Sequence, residues 1–375
     1  MKVLLVTSEF PPQPGGIGHH ACNLAKYLNR EGIETTILCE SRSAATFSEE
    51  LDYDAKLPFQ VFRASRKSNT LSRYFQRIRE LLKLSGAPAQ TIIASGYWPL
   101  MIVGAAKFLG LRKQPAIYVA HALDVNPSNP LLKKVCHFLL ARFDLLISVS
   151  EFTKQVLPGF LQIKTKVILN GFDRERFDLE QPESAPLEGL PSLITLGSLT
   201  ARKGQVNVVK ALPEILKKFP EAHYHIIGIP VEKESLLSLA TQLDVVSRVH
   251  IYGALEDEMM IRKLKGADVF MMLSNHTPDG DFEGFGIAIL EAGYMGVPAV
   301  GSKGSGIEDA IEDRVSGYLV NPLQPKEVAD AIEDIMEKGA YYRHGSQKHA
   351  ESYTWDSVVL AYIKALQLLN EGIAK

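Results

Sequence analysis

Short apolar runs alternate with longer segments of helical periodicity along most of the chain. In the first half the apolar runs are KVLLVT, ETTILC, QTIIAS, PAIYVA and FDLLISVS, and helical patterns at Gly18 to Glu31 and Pro99 to Leu109 follow two of them. Apolar runs that are buried on both faces and separated by helices are typical of a parallel sheet with helices on each side. The pattern therefore predicts a doubly wound α/β domain over residues 1–180.

A stretch without periodicity interrupts this alternation. Residues Phe172 to Pro191 are charged and rich in proline, which is the composition of an inter-domain linker. The alternation then resumes with SLITLGS, AHYHIIG, RVHIYG, ADVFMML and GVPAVGS. We therefore predict a second doubly wound domain over residues 190–350. In such folds ligands bind at the carboxyl ends of the strands, so we expect the functional site in a cleft that both domains face.

Composition narrows the class of protein. The net charge of -2 argues against a surface built for nucleic acid, so no nucleic-acid partner is expected. The three cysteines show no CxxC spacing, which predicts neither a disulfide framework nor a zinc site and favours a cytoplasmic location. No apolar run reaches the roughly 18 residues that a membrane span needs. The start MKVLLVTSEF reads as a strand and not as a signal peptide.

A glycine-rich loop follows the first predicted strand. The segment SEFPPQPGGIGHHA contains Gly16-x-Gly18-x-x-Ala21, a form of the dinucleotide fingerprint, and Glu40 closes a later strand where a ribose-binding acid would sit. About eight residues with three prolines separate Thr7, at the end of the first strand, from Gly15, whereas the fingerprint needs a tight turn directly after the strand. Three interpretations stay open: a nicotinamide site, an anion cradle at Gly15 and Gly16, and a plain turn.

Two adjacent cations stand before a helix in the second half. In LGSLTARKGQ, Arg202 and Lys203 precede Gly204 and the helical segment QVNVVKALPEILKKF. Such a pair can bind a diphosphate, because the guanidinium can donate to two oxygens at once and the lysine adds a point charge. The dipole of the following helix also favours an anion. The alternative is a pair of solvated basic residues in a loop.

The stretch EGFGIAILE adds acids and free amides. Gly284 and Gly286 flank Phe285 where a helix is predicted to begin, an arrangement that favours an anion. Glu283 stands before this helix and Glu291 lies within it, where their carboxylates can accept hydrogen bonds from sugar and ribose hydroxyls. The alternatives are first-turn stabilisation by Glu283 and a solvated helix face at Glu291. Cations together with hydroxyl acceptors indicate a nucleotide sugar as ligand.

These motifs resemble those of the retaining glycosyltransferases of the GT-B fold, family 4 (group 1). PPQPGGIGHHACNLAKYL resembles the glycine loop of that family, TARKGQ its phosphate loop, and EGFGIAILEAGYMGVPAVGSKGSGIEDAI its E-x7-E motif and the segment after it. VSEFTKQVL and VILNGFDRERF resemble its inter-domain side, and YTWDSVVLAYIKALQLL its C-terminal helix. The resemblance covers nearly the whole chain, and GDFEGFGI is most similar to the loop of GDP-mannose-dependent phosphatidylinositol mannosyltransferase-like enzymes.

The resemblance implies a role for each matching residue. His121 in VAHALD matches the family histidine near the anomeric centre, and residues 351–375 match a helix that crosses back to the first domain. Where the family usually has an arginine after a glycine, this chain has Ser198. The implied catalytic group is His121, Arg202, Lys203 and Glu283. The implied donor-binding group is Gly15, Gly16, Ser198, Arg202, Lys203, Glu283, Gly284, Phe285, Gly286, Ile287 and Glu291.

The expected activity is transfer of a hexose from a nucleoside-diphosphate sugar to a glycan or lipid-linked hydroxyl, with mannose favoured and glucose or another sugar, from UDP-glucose or its relatives, left open. Retention of configuration is implied by the resemblance alone. We expect no cofactor besides the donor and no metal, because no Asp-x-Asp cluster forms a plausible cage and DGD at 279–281 is only a loop candidate. The alternatives are another GT-B enzyme, such as a nucleotide-sugar epimerase or a phosphorylase, and a non-catalytic nucleotide-binding module or a nicotinamide enzyme.

One basic segment of the first domain is a candidate for contact with a membrane surface. Residues 63–84, RASRKSNTLSRYFQRIRELLKL, hold seven Lys or Arg and one Glu. If this segment is helical, it could lie on anionic lipid at the inner face of the membrane, beneath a lipid-linked acceptor. The alternative is an ordinary solvated helix of the first domain.

Overall fold

The chain forms two compact units. The computed structural model describes residues 1–42, 46–64, 70–86, 90–122, 124–178, 183–278 and 280–372. Unit 1 comprises Met1–Asn170 and Trp355–Lys375, and unit 2 comprises Gly171–Thr354. Each unit has its own parallel sheet, which we describe separately.

Unit 1 is built on a seven-stranded sheet. Its strands are β1 (Lys2–Thr7), β2 (Glu34–Glu40), β3 (Gln60–Ala64), β4 (Gln90–Ser95), β5 (Ala116–Ala120), β6 (Leu145–Ser148) and β7 (Thr165–Val167). Their spatial order is β3-β2-β1-β4-β5-β6-β7 and all neighbours are parallel. Every residue of β4 and β5 is buried, as expected for central strands that are covered on both faces.

Helices connect these strands. They are α1 (Gly16–Arg30), α2 (Phe47–Asp54), α3 (Thr70–Leu84), α4 (Tyr97–Phe108), α5 (Pro130–Leu140), α6 (Glu151–Val156) and α7 (Gly159–Gln162). Local sequence explains some of the boundaries. Asn129 caps α5 by accepting from the amides of its first turn, and a proline stands at its first position, where a missing N–H costs nothing. Ser150 caps α6 in the same way.

Unit 2 repeats the plan with six strands. They are β8 (Ser192–Leu196), β9 (His223–Ile227), β10 (Val249–Gly253), β11 (Val269–Met272), β12 (Ala299–Ser302) and β13 (Gly317–Val320), in the parallel order β10-β9-β8-β11-β12-β13. The helices are α8 (Gln205–Lys218), α9 (Lys233–Gln242), α10 (Asp257–Lys265), α11 (Ile287–Tyr294), α12 (Pro325–Glu337) and α13 (Gly339–Glu351). The predicted α/β class with two doubly wound domains is confirmed.

The chain passes between the two units at two places, near residue 171 and near residue 355. Residues 172–178, which composition assigned to a linker, belong to unit 2, where the buried Phe172 packs on Tyr294 of α11 with ring centroids 5.1 Å apart. The final helix, α14 (Trp355–Asn370), belongs to unit 1, where Trp355 and Tyr362 are fully buried. The first unit is therefore built from both ends of the chain.

Strand order locates the switch points of the two sheets. In unit 1 the order reverses between β1 and β4, and in unit 2 it reverses between β8 and β11. Loops that leave the carboxyl ends of two such strands diverge and leave a crevice for a ligand. The loops after β8 and β11 carry Arg202, Lys203 and Glu283, and the loop after β1 carries Gly15.

Candidate functional site

The phosphate-loop residues of unit 2 lie in a short turn after β8. Residues Ala201–Lys203 form a single 3-10 turn, and Gly204 follows in the left-handed conformation with φ of 73° before α8 begins. A Cβ on Gly204 would lie 1.8 Å from the carbonyl oxygen of Leu273, at the end of β11. Only glycine allows this close approach, which brings the two cations against the loop that follows β11.

Glu283 pairs with both cations. Its Oε2 lies 2.8 Å from Lys203 Nζ and accepts a hydrogen bond from the Arg202 guanidinium. The Glu283 side chain is only 10% exposed. Burial opposes its ionisation, but Lys203 and Arg202 outweigh burial and lower the pKa of this carboxyl to about 2. The acid and the two cations that sequence analysis assigned to a donor thus form one ion cluster.

Asp281 is a further member of this cluster. Its Oδ2 lies 3.1 Å from Arg202 Nε, so Arg202 bridges Asp281 and Glu283. The sequence pattern marks Asp281 only as part of the DGD loop candidate at 279–281. Asp279, the other acid of that candidate, lies outside the described residues.

Helix α11 begins directly after the glycine pair. Gly286 is its N-cap in the left-handed conformation and Ile287 is its first residue. The Phe285 side chain is buried, so it anchors the loop and leaves only backbone at the helix start. The carbonyl of Glu283 accepts from the amide of Gly306 at 2.9 Å, which fixes the loop that precedes α11. First-turn amides of a helix have no intrahelical acceptor, so this terminus favours an anion.

Glu291 is held by a residue that sequence analysis missed. Arg176 Nη1 lies 3.5 Å from Glu291 Oε1, and the same guanidinium pairs with Asp257. Burial raises the pKa of Glu291, and the neighbouring Arg176 offsets this only in part. The Glu291 side chain is 13% exposed, so it does not lie on a solvated helix face. Arg176 falls in the segment that was assigned to a linker, and no local pattern marks it.

Unit 1 carries the glycine loop at the start of α1. Gly15 is the N-cap of α1, and a Cβ built on Gly16 would meet no atom within 4 Å, so the backbone there is open to an approaching group. A Cβ on Gly18 would instead lie 3.1 Å from the amide nitrogen of Phe10, so Gly18 serves close packing. Two hydrogen bonds hold the loop. Arg63 donates to the Pro11 carbonyl, and Gln13 donates to the buried Glu50 carboxylate.

His121 lies just after β5 and is almost fully buried. Its Nε2 is 2.8 Å from the Ser95 hydroxyl at the end of β4. Asp124 accepts from the backbone amide of His121 and from the hydroxyl of Tyr118, which fixes the turn that carries the histidine. Burial lowers the pKa of His121, and Asp124 only partly offsets the shift, so the imidazole is neutral at neutral pH.

The structure thus gathers the predicted residues into two groups. In unit 2 it brings Arg202, Lys203 and Glu283 together, whereas Glu291 pairs with Arg176. Ser198, which replaces the usual family arginine, accepts from the Gln205 side-chain amide through its carbonyl at 3.1 Å. Gly15, Gly16 and His121 belong to unit 1, at the carboxyl ends of its strands.

One cluster of possible metal ligands occurs among the described residues. Glu188, His223 and His250 lie close together at the amino ends of β9 and β10, whereas the ion cluster follows the carboxyl ends of β8 and β11. His223 Nδ1 and His250 Nε2 are hydrogen-bonded at 2.8 Å, and Arg248 Nη1 donates to His223 Nε2 at 2.8 Å. Because these nitrogens already have hydrogen-bond partners and Arg248 adds a positive charge that opposes a cation, the three side chains form a hydrogen-bonded network and not a metal site.

Solved structures share the fold of this chain. HepE of Anabaena, in complex with UDP and glucose, superposes with a TM-score of 0.75 at 21% identity, covering 98% of this chain and 99% of HepE. Sucrose-phosphate synthase from Thermosynechococcus elongatus superposes with a TM-score of 0.77 at 15% identity over 99% of both chains. These likenesses assign the chain to the GT-B class of folds. None of the described helices is long and apolar enough to span a bilayer.

Two family models match consecutive stretches of the chain. The model described as Glycosyltransferase Family 4 matches residues 14–176, and the model described as Glycosyl transferases group 1 matches residues 177–352. The chain therefore belongs to the group 1 glycosyltransferases of family 4. It is 27% identical to the GDP-mannose-dependent monoacylated alpha-(1-6)-phosphatidylinositol monomannoside mannosyltransferase of Corynebacterium glutamicum, over 95% of each protein. It is 25% identical to an uncharacterised glycosyltransferase of Methanocaldococcus jannaschii over the whole of both chains.

Proposed function

We propose that the protein transfers a hexosyl group from a nucleoside-diphosphate sugar to a hydroxyl acceptor, without a metal and with retention of configuration. The observation that supports this most is the ion cluster at the switch point of unit 2, in which the buried Glu283 carboxylate pairs with the half-buried Arg202 and Lys203. Two fixed cations beside the N-termini of α8 and α11 form a site for a diphosphate. The buried carboxylate among them is a hydrogen-bond acceptor for sugar hydroxyls.

The chemistry needs this arrangement of charge. Breaking the bond between the anomeric carbon and the diphosphate places negative charge on the leaving oxygen and positive charge on the sugar ring. Lys203 and Arg202 supply preorganised stabilisation for the leaving group, which in other enzymes is worth about 10² or more in rate per group. We assign Glu283 to the transferred sugar, Glu291 to the nucleotide ribose, and His121 to the anomeric centre.

Donor binding changes the partners of the cations. In the structure Glu283 neutralises Lys203 and Arg202, so a diphosphate must share or replace these contacts. The sugar hydroxyls then donate to the carboxylate that the cations release. We infer that the Glu283 carboxylate compensates the cations before the donor arrives and binds the sugar afterwards, so that this buried charge keeps a partner throughout.

GDP-mannose is the favoured donor. The support is the loop GDFEGFGI together with relatives whose names state a GDP-mannose dependence, at 27% and 26% identity. The structural neighbour HepE was solved with UDP and glucose, so a uridine nucleotide is the competing donor. We favour a glycan or lipid-linked hydroxyl as acceptor.

The test measures donor turnover and binding with matched variants. Purified protein is mixed with GDP-mannose or UDP-glucose, with and without EDTA, and released nucleotide is measured with and without a mannoside acceptor. We expect acceptor-dependent release of GDP that EDTA does not reduce. Lys203→Ala should lower turnover at saturating donor by about 10² or more, whereas Lys210→Ala, an exposed lysine of α8, should not. Normal turnover in Lys203→Ala would remove it from the site, and acceptor-independent sugar conversion would indicate an epimerase.

We also propose a membrane contact for unit 1. Residues 65–69 of the predicted basic segment lie outside the described residues, but Thr70–Leu84 is helical as α3. Its inner face is fixed by Arg77, which pairs with Glu40 at 2.5 Å and lies 4.8 Å from the Trp98 ring centroid. Phe75 is 76% exposed and Ile78 is also exposed. This outer face also carries Arg79 and Lys83, so it combines apolar and cationic side chains suited to anionic lipid.

A further inference from the structure

His20 is a buried histidine that the proposed chemistry does not use. It lies in α1, just after the glycine loop, and is 2% exposed. Its Nε2 is 3.0 Å from the hydroxyl of Tyr362 in α14. Among the described residues no group pairs with its other ring nitrogen, Nδ1. A buried polar nitrogen without a partner is destabilising, so an apolar side chain of this size would serve better for packing alone.

The ring of His20 lies between α14 and His121. Its centroid is 5.1 Å from that of His121 with an interplanar angle of 83°, an edge-to-face contact. A second edge-to-face contact joins it to Trp355, again at 5.1 Å. The Ser95 hydroxyl bonds His121 Nε2 at 2.8 Å. Two independent contacts therefore restrict the rotation of the His121 ring, and His20 supplies one of them.

Hydrogen-bond accounting indicates the tautomer of His20. If the Tyr362 hydroxyl donates to Nε2, a single N–H at Nδ1 is left unpaired. If Nε2 donates instead, the hydroxyl proton and the Nδ1 lone pair both lack partners in the described cluster. The first arrangement is cheaper, so Tyr362 donates and His20 carries its proton on Nδ1. Burial, together with the neighbouring His121, lowers the pKa of His20 well below its usual value, so the ring is neutral.

We propose that His20 is a positioning residue for His121, and that the C-terminal helix holds it in place through the Tyr362 hydroxyl. This inference rests on the proposed role of His121 at the anomeric centre. It assigns α14 a task in catalysis besides packing, because the helix from the end of the chain orients a side chain that touches the reacting group. Reactive groups that are misplaced by even about 1 Å can lose up to 10²-fold in rate.

The least disruptive test is Tyr362→Phe, which removes only the hydroxyl that holds His20. Tyr27→Phe is the matched control, because Tyr27 is equally buried and stacks on Trp355 at 6.3 Å, away from the His20 hydrogen bond. We expect Tyr362→Phe to lower kcat by about 5- to 20-fold with the donor KM within about twofold of wild type. Tyr27→Phe should keep wild-type kcat.

A second readout does not depend on turnover. Histidine-selective 15N NMR of wild type, with the His121 signals assigned by their loss in His121→Gln, reports the tautomer and ring environment of His121. We expect these signals to shift in Tyr362→Phe and in His20→Phe and to stay unchanged in Tyr27→Phe. His20→Phe keeps an aromatic ring, so a kcat that falls while the melting temperature is retained separates positioning from packing.

The outcomes distinguish the two proposals. If wild type is an active transferase but Tyr362→Phe and His20→Phe keep both kcat and the His121 signals of wild type, the positioning role is overturned. If the His121 signals shift as expected while wild type transfers no sugar from any donor, the proposed function fails and the coupling from α14 to His121 stands. A fall in kcat equal to that of Tyr27→Phe, with unchanged His121 signals, also counts against the role.

Discussion

The ion cluster around Glu283 predicts a specific acid sensitivity of unit 2. The perturbation is Glu283→Gln, which keeps the shape of the side chain and removes its charge. In wild type the carboxylate bonds Lys203 at 2.8 Å and the Arg202 guanidinium, and it is 10% exposed. Glutamine leaves these two cations without their shared counterion, so we expect the variant to be less stable at neutral pH.

The pKa of Glu283 sets the size of the effect and the pH range. Burial opposes ionisation of this carboxyl, but Lys203 and Arg202 lower its pKa from the ordinary value of 4.5 to about 2. At about 1.36 kcal/mol per unit, the difference corresponds to roughly 3 kcal/mol. Because the pKa is depressed on folding, this stabilisation is fully present above about pH 4.5 and is lost as the pH falls toward about 2.

Hydrogen exchange followed by mass spectrometry measures this pH-dependent stabilisation in the helices next to Glu283. Peptides from α8 and α11 report opening of unit 2, and the free energy of opening is compared between wild type and variant at several pH values. We expect the difference between wild type and Glu283→Gln to shrink as the pH falls below about 4.5. Glu214→Gln is the control, because Glu214 forms an exposed surface pair with Lys217 and should change stability little. A wild-type-to-variant difference that stays constant with pH would refute the assigned pKa and the ion cluster behind it.

Three further predictions concern the backbone, the nucleotide and the membrane. Gly204→Ala should lower the free energy of unfolding by at least about 2 kcal/mol more than Gly253→Ala, measured by urea denaturation, because both glycines have φ of 73° but only a Cβ at 204 meets backbone. Glu291→Ala should weaken GDP binding in calorimetry, and an unchanged affinity would remove it from the ribose site. Phe75→Ser should reduce co-sedimentation with phosphatidylserine vesicles at low salt, whereas Phe160→Ser, also an exposed phenylalanine of unit 1, should not. Absence of wild-type binding even at low salt would end the membrane proposal.

The apolar pattern predicted the central strands and missed strands at the edges. Sequence analysis did not identify β3, β7 or β13, and each of these stands at the edge of its sheet. Edge strands are covered less completely, and β3 accordingly has only one buried residue, Ala64. A strand of this kind does not need a continuous apolar run, so periodicity carries little signal for it. The central strands are buried on both faces and could be found from their composition alone.

Site residues in loops that directly follow strands could be predicted from the sequence. Side-chain contacts between residues that are far apart in sequence could not. The positions of Arg202, Lys203 and Glu283 could be predicted because loops after neighbouring parallel strands converge at a switch point. The contacts of Arg176 with Glu291 and of Tyr362 with His20 join residues far apart in sequence. No local pattern encodes such pairs, since they depend on how separate helices and loops pack.

The mixture of charges in the loop before α11 also explains why acids stand beside a proposed phosphate site. Half-buried cations without counterions would destabilise unit 2, and cations that are permanently paired would bind a diphosphate weakly. Asp281 and Glu283 differ in how they can lose a cation partner. Asp281 is 30% exposed, so water can solvate its carboxylate, whereas Glu283 is nearly buried. Only Glu283 must find another partner when the cations turn to phosphate. Under the proposed function, hydroxyl groups of the transferred sugar are the donors that the substrate brings to that position, so the stability of unit 2 and the proposed selectivity for a sugar would depend on the same carboxylate.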